Sequence, residues 1–162
     1  VLAAIDLMNK DVKSTPLKSL QGRIWKSGFQ SGQLVSHVFD DVPQSLARWS
    51  TSGIDIRIYS SGSIEAQKLF FSHTTAGDLT SHLRGHYDTT TGPKREKESY
   101  QKIAHDIGIN PEGILFLSDV GAELDAARAA GMATGATIRP GNKPLESLYD
   151  HDQIETFSDV TL

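Results

Sequence analysis

The chain contains no cysteine and no long apolar run. Without thiols it can form neither disulfides nor thiolate metal sites, and a reducing cytoplasm is the expected compartment. No hydrophobic stretch reaches the length that crosses a bilayer, and residues 1–10 do not have the layout of a signal peptide. The composition therefore predicts a cytoplasmic protein without a membrane partner.

The sequence also has no excess of positive charge. It contains 16 Lys and Arg and 20 Asp and Glu, which gives a net charge of −4. This balance argues against a general nucleic-acid-binding protein. It leaves room for a small anionic ligand, which needs only one local cation. The 162 residues, 38% of them hydrophobic, are enough for a domain with a buried core.

Two regions differ in their hydrophobic pattern. Residues 1–40 are predicted to be helical, with a helix start at Ser14-Thr15-Pro16 and a loop that contains Gly28 and Gly32. Residues 41–162 alternate helix with strand. We therefore divide the chain into a partial helical cap region, 1–40, and an α/β core, 41–162.

The predicted elements of the core follow the α/β pattern. Strands are predicted at 54–58, 114–117 and 133–138, with a further short strand at Thr156-Phe157. Helices are predicted at 42–52, 63–71, 94–107 and 122–130, and residues 82–86 are predicted to be a loop. This alternation is typical of a doubly wound, Rossmann-like parallel sheet, in which ligands bind beyond the carboxyl ends of the strands.

Hydroxyl groups follow the first of these strands. Ser60 and Ser61 come directly after it and before Gly62, where a helix is predicted to start. Hydroxyls and the unpaired amides of a helix N-terminus can bind an anion without any full charge. Taken alone, this segment is better explained as a helix cap.

Asp119 follows the second strand, again just before a helix. A carboxylate at that place is suited to Mg²⁺, which prefers hard oxygen ligands, and Glu123 could assist it. The alternative is that Asp119 caps the helix and Glu123 interacts favourably with the helix dipole.

Lys94 follows Gly92-Pro93 at the predicted start of a helix. The helix dipole disfavours a cation there, and a bound phosphate would explain its presence. The alternative is a solvated surface lysine. Because the hydroxyls, the lysine and the acid arrive in order along one predicted sheet, the sequence predicts a magnesium-dependent phosphate site formed by Ser60, Ser61, Lys94 and Asp119.

Longer strings resemble the haloacid-dehalogenase-like phosphohydrolases and, within them, the enolase-phosphatase (acireductone synthase) family of methionine salvage. These strings are Lys13–Lys18 and Leu20–Trp25 in the cap region, then Tyr59–Ser63, Ala66–Leu69, Gly77–Leu79, Tyr87–Thr89 and Ile138–Asn142 in the core. The resemblance covers essentially the whole chain.

The resemblance implies an Mg²⁺-dependent enzyme that enolises a phosphorylated diketone, a methylthio-diketopentyl phosphate, and then removes its phosphate. It implies that Ser60 and Ser61 contact the phosphoryl and substrate oxygens, that Lys94 steadies the phosphate and that Asp119 binds the metal. A monomer is expected. Glu65 and Gln67 lie close in sequence, but neither is assigned as the base for enolisation.

One element of that family is missing from the sequence. Its first, central strand ends in Asp-x-Glu-Gly-Thr, whose aspartate is the nucleophile, and this string does not occur. Asp150-His151-Asp152, Asp6-Leu7-Met8 and Asp40-Asp41-Val42 do not match it. We therefore identify no catalytic nucleophile and expect an N-terminally truncated chain, in which the neighbours of that strand lack ladder partners.

Two other functions compatible with this sequence stay open. One is a related cap-bearing phosphatase that acts on another phosphate ester. The other is a non-catalytic module that binds phosphate esters without turning them over.

Overall fold

The computed structural model describes residues 24–142 and 151–161. After a helical segment at 24–30, the elements are α1 (Asp41–Thr51), β1 (Arg57–Tyr59), α2 (Ile64–Ser72), β2 (Gly85–Tyr87), α3 (Lys97–Ile107), β3 (Leu115–Ser118), α4 (Gly121–Ala129), β4 (Ala133–Thr137) and β5 (Asp152–Ile154). Short 3₁₀ turns lie at Thr80–His82, Pro111–Gly113 and Phe157–Asp159.

All the described strands pair in parallel. β1 pairs with β2, and Ile58 lies opposite His86. The second sheet has the order β3-β4-β5, and Phe116 lies opposite Thr134. Among the described residues, β1 pairs only with β2 and β3 only with β4, so each of these two strands has one open edge.

Two apolar clusters join the two sheets into one layer. The first cluster contains Tyr87 and packs against Phe116, and the second contains Ile154 and packs against Leu115 and Leu117. Successive residues of a strand point to opposite faces, so Phe116 and its neighbours place the clusters on opposite sides of the sheet. Helices α3 and α4 supply the first cluster, whereas α1 contributes Leu46 to the second.

This arrangement confirms the predicted α/β fold with a parallel sheet covered by helices on both faces. Within the described part of the chain, no strand lies on the open side of β1 or β3. Their apolar residues are accordingly half-buried, as Ile58 and Phe116 illustrate, and not fully enclosed.

Several predicted boundaries were wrong. The helix predicted from Lys94 begins at Lys97, because Glu96 is still extended (φ −117°, ψ 130°). Ile54 lies outside β1, since its N–H donates to the Trp49 carbonyl in the turn after α1. The predicted strand at Thr156-Phe157 is replaced by β5, after which a 3₁₀ turn starts at Phe157.

Two further predictions need correction, both at glycines. The loop predicted at 82–86 contains the start of β2, because Gly85 pairs with Arg57. Gly28 lies within the helical segment 24–30, whereas Gly32, at φ 71°, is in the loop as predicted. The predicted helix start at Ser14-Thr15-Pro16 lies outside the described residues, and the division at residue 40 stays a prediction. None of the described helices has both the length and the apolarity that a membrane span requires.

Candidate phosphate-binding site

The carboxyl ends of β1 and β3 meet at one edge of the layer. Tyr59 ends β1, and the ammonium nitrogen of Lys94 lies 5.7 Å from the centre of its ring. The same nitrogen lies 2.5 Å from Oε2 of Glu123, in the first turn of the helix that follows β3. The structure therefore brings together the two strand ends and the lysine that the sequence singled out, with Ser60 directly after β1 and Asp119 directly after β3.

The hydroxyl groups after β1 have different roles. Ser63 is the N-cap of α2, because its Oγ accepts from the N–H of Ala66 at 3.2 Å. The Oγ of Ser60 accepts from the N–H of Gly62 at 3.2 Å, and a hydroxyl that accepts in this way keeps its proton for donation. Ser61 is exposed. The helix-cap explanation thus applies to Ser63 and leaves Ser60 and Ser61 for a ligand.

Lys94 lies in a hydrogen-bonded turn before α3, not in the helix. Its carbonyl accepts from the hydroxyl of Tyr100 at 2.6 Å, and the preceding Pro93 carbonyl accepts from Ser99 at 2.7 Å. Gly92 has φ 155°, and a Cβ at this position would collide with the side chain of Ser99. The argument from the helix dipole does not apply to Lys94, whose position is fixed by these contacts.

Glu123 is almost fully buried, at 8% exposure. It accepts from the hydroxyl of Ser118 at 2.9 Å and pairs with Lys94. A carboxylate buried to this degree needs such partners, because an unpaired buried charge is strongly destabilising. Glu123 is therefore committed to positioning the lysine.

Asp119 is exposed at the end of β3 and does not cap α4, whose N-cap residue is Val120. Its Oδ2 accepts from the side-chain amide of Asn142. It borders a pocket of about 490 Å³ lined by Phe39, Asp119, Val120, Pro140, Gly141 and Asn142. The carboxylate is thus accessible to a ligand or a cation.

The two tyrosines beside Lys94, Tyr59 and Tyr100, stay uncharged near neutral pH. Burial raises the pKa of the Tyr59 hydroxyl, and the nearby charge of Glu123 adds to this effect. Burial likewise raises the pKa of Tyr100. Both phenols remain hydrogen-bond donors near neutral pH, and Tyr59 donates to the Gly92 carbonyl at 2.8 Å.

Comparison with known families identifies this arrangement. A family model described as a haloacid dehalogenase-like hydrolase matches residues 20–131. The chain belongs to the haloacid dehalogenase-like hydrolases. Among solved structures, it is similar to the UTR4 protein of Saccharomyces cerevisiae, with 38% identity and a TM-score of 0.87 over 98% of this chain and 73% of that one.

Individual relatives within this family carry a more specific name. The chain is 50% identical over 159 residues to the enolase-phosphatase E1 of Sorangium cellulosum, covering 98% of this chain and 68% of that protein. It is 52% identical over 155 residues to the enolase-phosphatase E1 of Drosophila grimshawi, covering 96% and 63% respectively. The resemblance to enolase-phosphatases is confirmed, and the chain spans about two thirds of the length of these relatives.

For a hydrolase of the haloacid dehalogenase-like type, the residues at hand make only part of a magnesium site. Mg²⁺ is usually held by one or two carboxylates, waters and substrate phosphate oxygens. Within residues 24–142 and 151–161, no group of three or more His, Asp or Glu side chains is arranged to hold a metal ion. Asp119 supplies one carboxylate, and Glu123 is held by Lys94.

Sequence reasoning did not assign the roles of two side chains that shape this haloacid dehalogenase-like site. Gln67 is buried and donates to the carbonyls of Gly62 and Tyr87, at 2.9 and 2.8 Å, so it ties the start of α2 to β2. Asp88 accepts from the N–H of Ile64 at 3.3 Å and so caps α2 from the next strand end. A glutamine in an apolar helix face was the available signal for the first, whereas the second depends on the pairing of β1 with β2.

These contacts also bear on the base for enolisation, which the sequence left open. The side-chain NH₂ of Gln67 donates to two backbone carbonyls, and its Oε1 lies 3.1 Å from Nδ1 of His86. Glu65 is exposed and pairs with Lys26 at 3.0 Å. Neither contact places these side chains in the group formed by Lys94, Tyr59 and Glu123.

Proposed function

We propose that this chain is the substrate-binding part of an enolase-phosphatase. The reaction would convert 5-(methylthio)-2,3-dioxopentyl phosphate to the acireductone and phosphate in L-methionine salvage, with Mg²⁺ as cofactor. The names of relatives about half identical over almost the whole chain support this assignment. The observation that carries it is the position of Lys94. Its ammonium group lies over the ring of Tyr59, at the end of β1, and pairs with Glu123, in the helix that follows β3.

In this proposal the phosphate lies between the two strand ends. Ser60 and Ser61 donate hydroxyl hydrogen bonds to its oxygens, whereas the N–H groups of Ile64 and Ala66 at the start of α2 already donate to Asp88 and Ser63. Lys94 provides the positive charge, and its orientation is set by Glu123 and by the ring of Tyr59. Fixed donors and a fixed cation stabilise charge on a phosphoryl group without reorganisation during the reaction.

Asp119 is proposed as one ligand of Mg²⁺, which when bound neutralises negative charge on the phosphate. Its exposed carboxylate and its contact with Asn142 support this role. The remaining ligands would come from the phosphate, from water and from groups outside the described residues.

The nucleophile is proposed to come from a segment outside this sequence, since Asp-x-Glu-Gly-Thr does not occur in the 162 residues. Covalent phosphoryl transfer needs such a group to accept the phosphoryl from the substrate oxygen. The open edges of β1 and β3 support this proposal, because a parallel strand between them would gain ladder partners on both sides.

The test is Mg²⁺-dependent phosphate release from the diketopentyl phosphate. It would compare this chain with a chimera that adds the part of the Sorangium relative that this chain does not match. We expect release by the chimera and its loss in a chimera that carries Lys94→Met. Absence of release by an intact, folded chimera would contradict the proposal.

A second candidate is a non-catalytic phosphate-ester-binding module, which the missing signature and the single carboxylate at Asp119 favour. It predicts that the chimera binds the ester without turnover. A related phosphatase with another substrate predicts release from a different ester only. We expect the chain to be a cytoplasmic monomer, and sedimentation equilibrium tests the oligomeric state.

A further inference from the structure

A second pocket, of about 910 Å³, lies between α2 and the residues that lead into β2. Its ionisable side chains are mostly basic, and they are Lys26, Glu65, Lys68, Arg84 and His86. Lys26 pairs with Glu65 at 3.0 Å, so the charges of these two side chains largely cancel. The rest of the lining leaves this pocket positively charged, although the net charge of the whole chain is −4.

The two remaining cations have no carboxylate partner in the described part of the chain. Within residues 24–142 and 151–161, neither the ammonium of Lys68 nor the guanidinium of Arg84 forms an ion pair, and both side chains are exposed. Two other arginines, Arg57 and Arg139, each pair with an aspartate. A guanidinium presents a fork of donors that matches an oxyanion, and an ammonium adds a point charge. Lys68 and Arg84 are therefore suited to hold an oxyanion in the pocket.

His86 adds a third group, and its ring has a fixed orientation. Nδ1 of His86 lies 3.1 Å from Oε1 of Gln67. Because the NH₂ of Gln67 donates to the carbonyls of Gly62 and Tyr87, its Oε1 is an acceptor and Nδ1 of His86 carries the proton. Among the residues that the structure describes, Nε2 of the ring has no hydrogen-bond partner. The half-buried ring can therefore donate to an anion after it takes up a proton at Nε2.

In the free protein the ring of His86 is held neutral near neutral pH. Burial lowers the pKa of His86 below its ordinary value of 6.5, and the charge of Lys68 lowers it further. The other charged groups in the pocket are Glu65 of α2, Arg84 and Lys26. A bound dianion offsets the repulsion by the cations and raises the pKa of His86, so the binding of a dianion is linked to the uptake of a proton.

We propose that Lys68, Arg84 and His86 form a second binding site, for a small dianionic oxyanion such as sulfate or a phosphate group. None of the residues for which we propose contact with the phosphate ester or with Mg²⁺ borders this pocket. The inference therefore goes beyond the proposed function, because binding at this site does not need Lys94. The three groups converge from α2 and from the start of β2, so an anion here bridges a helix and a strand.

The test is a titration of the full 162-residue chain with sulfate, which stays dianionic, at an ionic strength held constant with sodium chloride. NMR of the imidazole nitrogens follows His86, whose signals are assigned by their loss in His86→Gln. Sulfate should raise the pKa of His86, and the affinity should increase several-fold as pH falls from about 8 to about 6. Lys68→Gln and Arg84→Gln should each lower the affinity about five- to tenfold.

Lys97→Gln is the matched control. Lys97 is an exposed lysine at the start of α3 and does not border the pocket, so its replacement removes the same charge elsewhere on the surface. The sulfate affinity measured at His86 should stay unchanged in this variant.

A second series compares inorganic phosphate with glycerol phosphate at one pH. Tighter binding of the ester at His86 would support a phosphorylated metabolite as the ligand, whereas equal binding would support the free ion.

Three results would overturn the second site. One is the absence of any response of His86 to sulfate. Another is a loss of affinity in Lys68→Gln and Arg84→Gln that is no larger than the loss in Lys97→Gln. The third is a response that folded Lys94→Met abolishes, because the anion would then act from the other site. None of these results bears on phosphate release by the chimera, which tests the proposed function separately.

Discussion

The Nζ atom of Lys94 lies 2.5 Å from Oε2 of Glu123, and both side chains are largely shielded from water, at 21% and 10% exposure. Glu123 is the more deeply buried partner and also accepts from the hydroxyl of Ser118. We therefore expect a change in one member of the pair to affect the other. The pair thus holds the cationic side chain for which we propose contact with the phosphate.

Lys94→Met should destabilise the chain by about 2 kcal/mol, because it leaves the buried carboxylate of Glu123 without its cation. Glu123→Gln should cost less, since Lys94 can turn towards solvent. The double variant should be more stable than the sum of the single effects predicts, with a coupling of about 1 kcal/mol or more. Urea unfolding of the four proteins measures this cycle, and strictly additive effects would show that the ion pair contributes no coupling.

The serines after β1 should separate binding from stability. Ser61→Ala should weaken inorganic phosphate binding several-fold and leave the free energy of unfolding unchanged, because the side chain is exposed. Ser63→Ala should do the reverse and cost about 1 kcal/mol, because it removes the N-cap of α2. Titration with phosphate and urea unfolding of both variants decide the assignment. If Ser61→Ala and Ser63→Ala changed phosphate affinity and the free energy of unfolding in the same way, the assignment would be wrong.

The order of elements and the strand-end residues could be predicted from the sequence because they depend on local patterns. Alternating or continuous apolar residues marked β1 and β3, and Asp119 follows β3 in both the sequence and the sheet. The pairing of Lys94 with Glu123 could not be predicted, because it needs the positions of two separate strand–helix junctions.

Short elements were the hardest to predict. β2 has three residues, Gly85–Tyr87, and only its pairing with β1 makes it a strand. The same holds for β5, whose strand identity depends on β4 and whose side chains at Asp152 and Gln153 are exposed. Sequence periodicity over three residues carries too little information to distinguish such a strand from a loop.

Asp41 should make stability depend on acid pH. Burial raises the pKa of its carboxyl, but hydrogen bonds from Arg139, from the Phe157 N–H and from Thr156 outweigh burial and hold the pKa below the ordinary value of 3.8. A pKa that is depressed by folding contributes stability above the unfolded pKa, and this contribution is lost as pH falls through the folded pKa.

Asp41→Asn should therefore lower the free energy of unfolding by about 2 kcal/mol near neutral pH. The difference in this free energy between the variant and the parent chain should become smaller below about pH 4. Urea unfolding at both pH values measures it. A difference of the same size at the two pH values would mean that the charge of Asp41 does not contribute to stability. Asp40→Asn is a matched control, since Asp40 is an exposed neighbour.

A side chain added at Gly135 should lower stability, although the backbone there is ordinary strand. It lies in β4 opposite Leu117 and Asp152. A Cβ at this position would lie 2.8 Å from Cδ2 of Leu117 and closer still to the side chain of Ile154, and both belong to or pack against one apolar cluster. Crowding of this kind costs about 1–3 kcal/mol, because packed side chains must leave their preferred rotamers. Gly135→Ala should lower the urea midpoint accordingly, and adding Ile154→Val should recover part of the loss by removing a methyl group from the crowded side. If Gly135→Ala left the urea midpoint unchanged, the side chains of Leu117 and Ile154 would be able to accommodate a Cβ without loss of stability, contrary to this prediction.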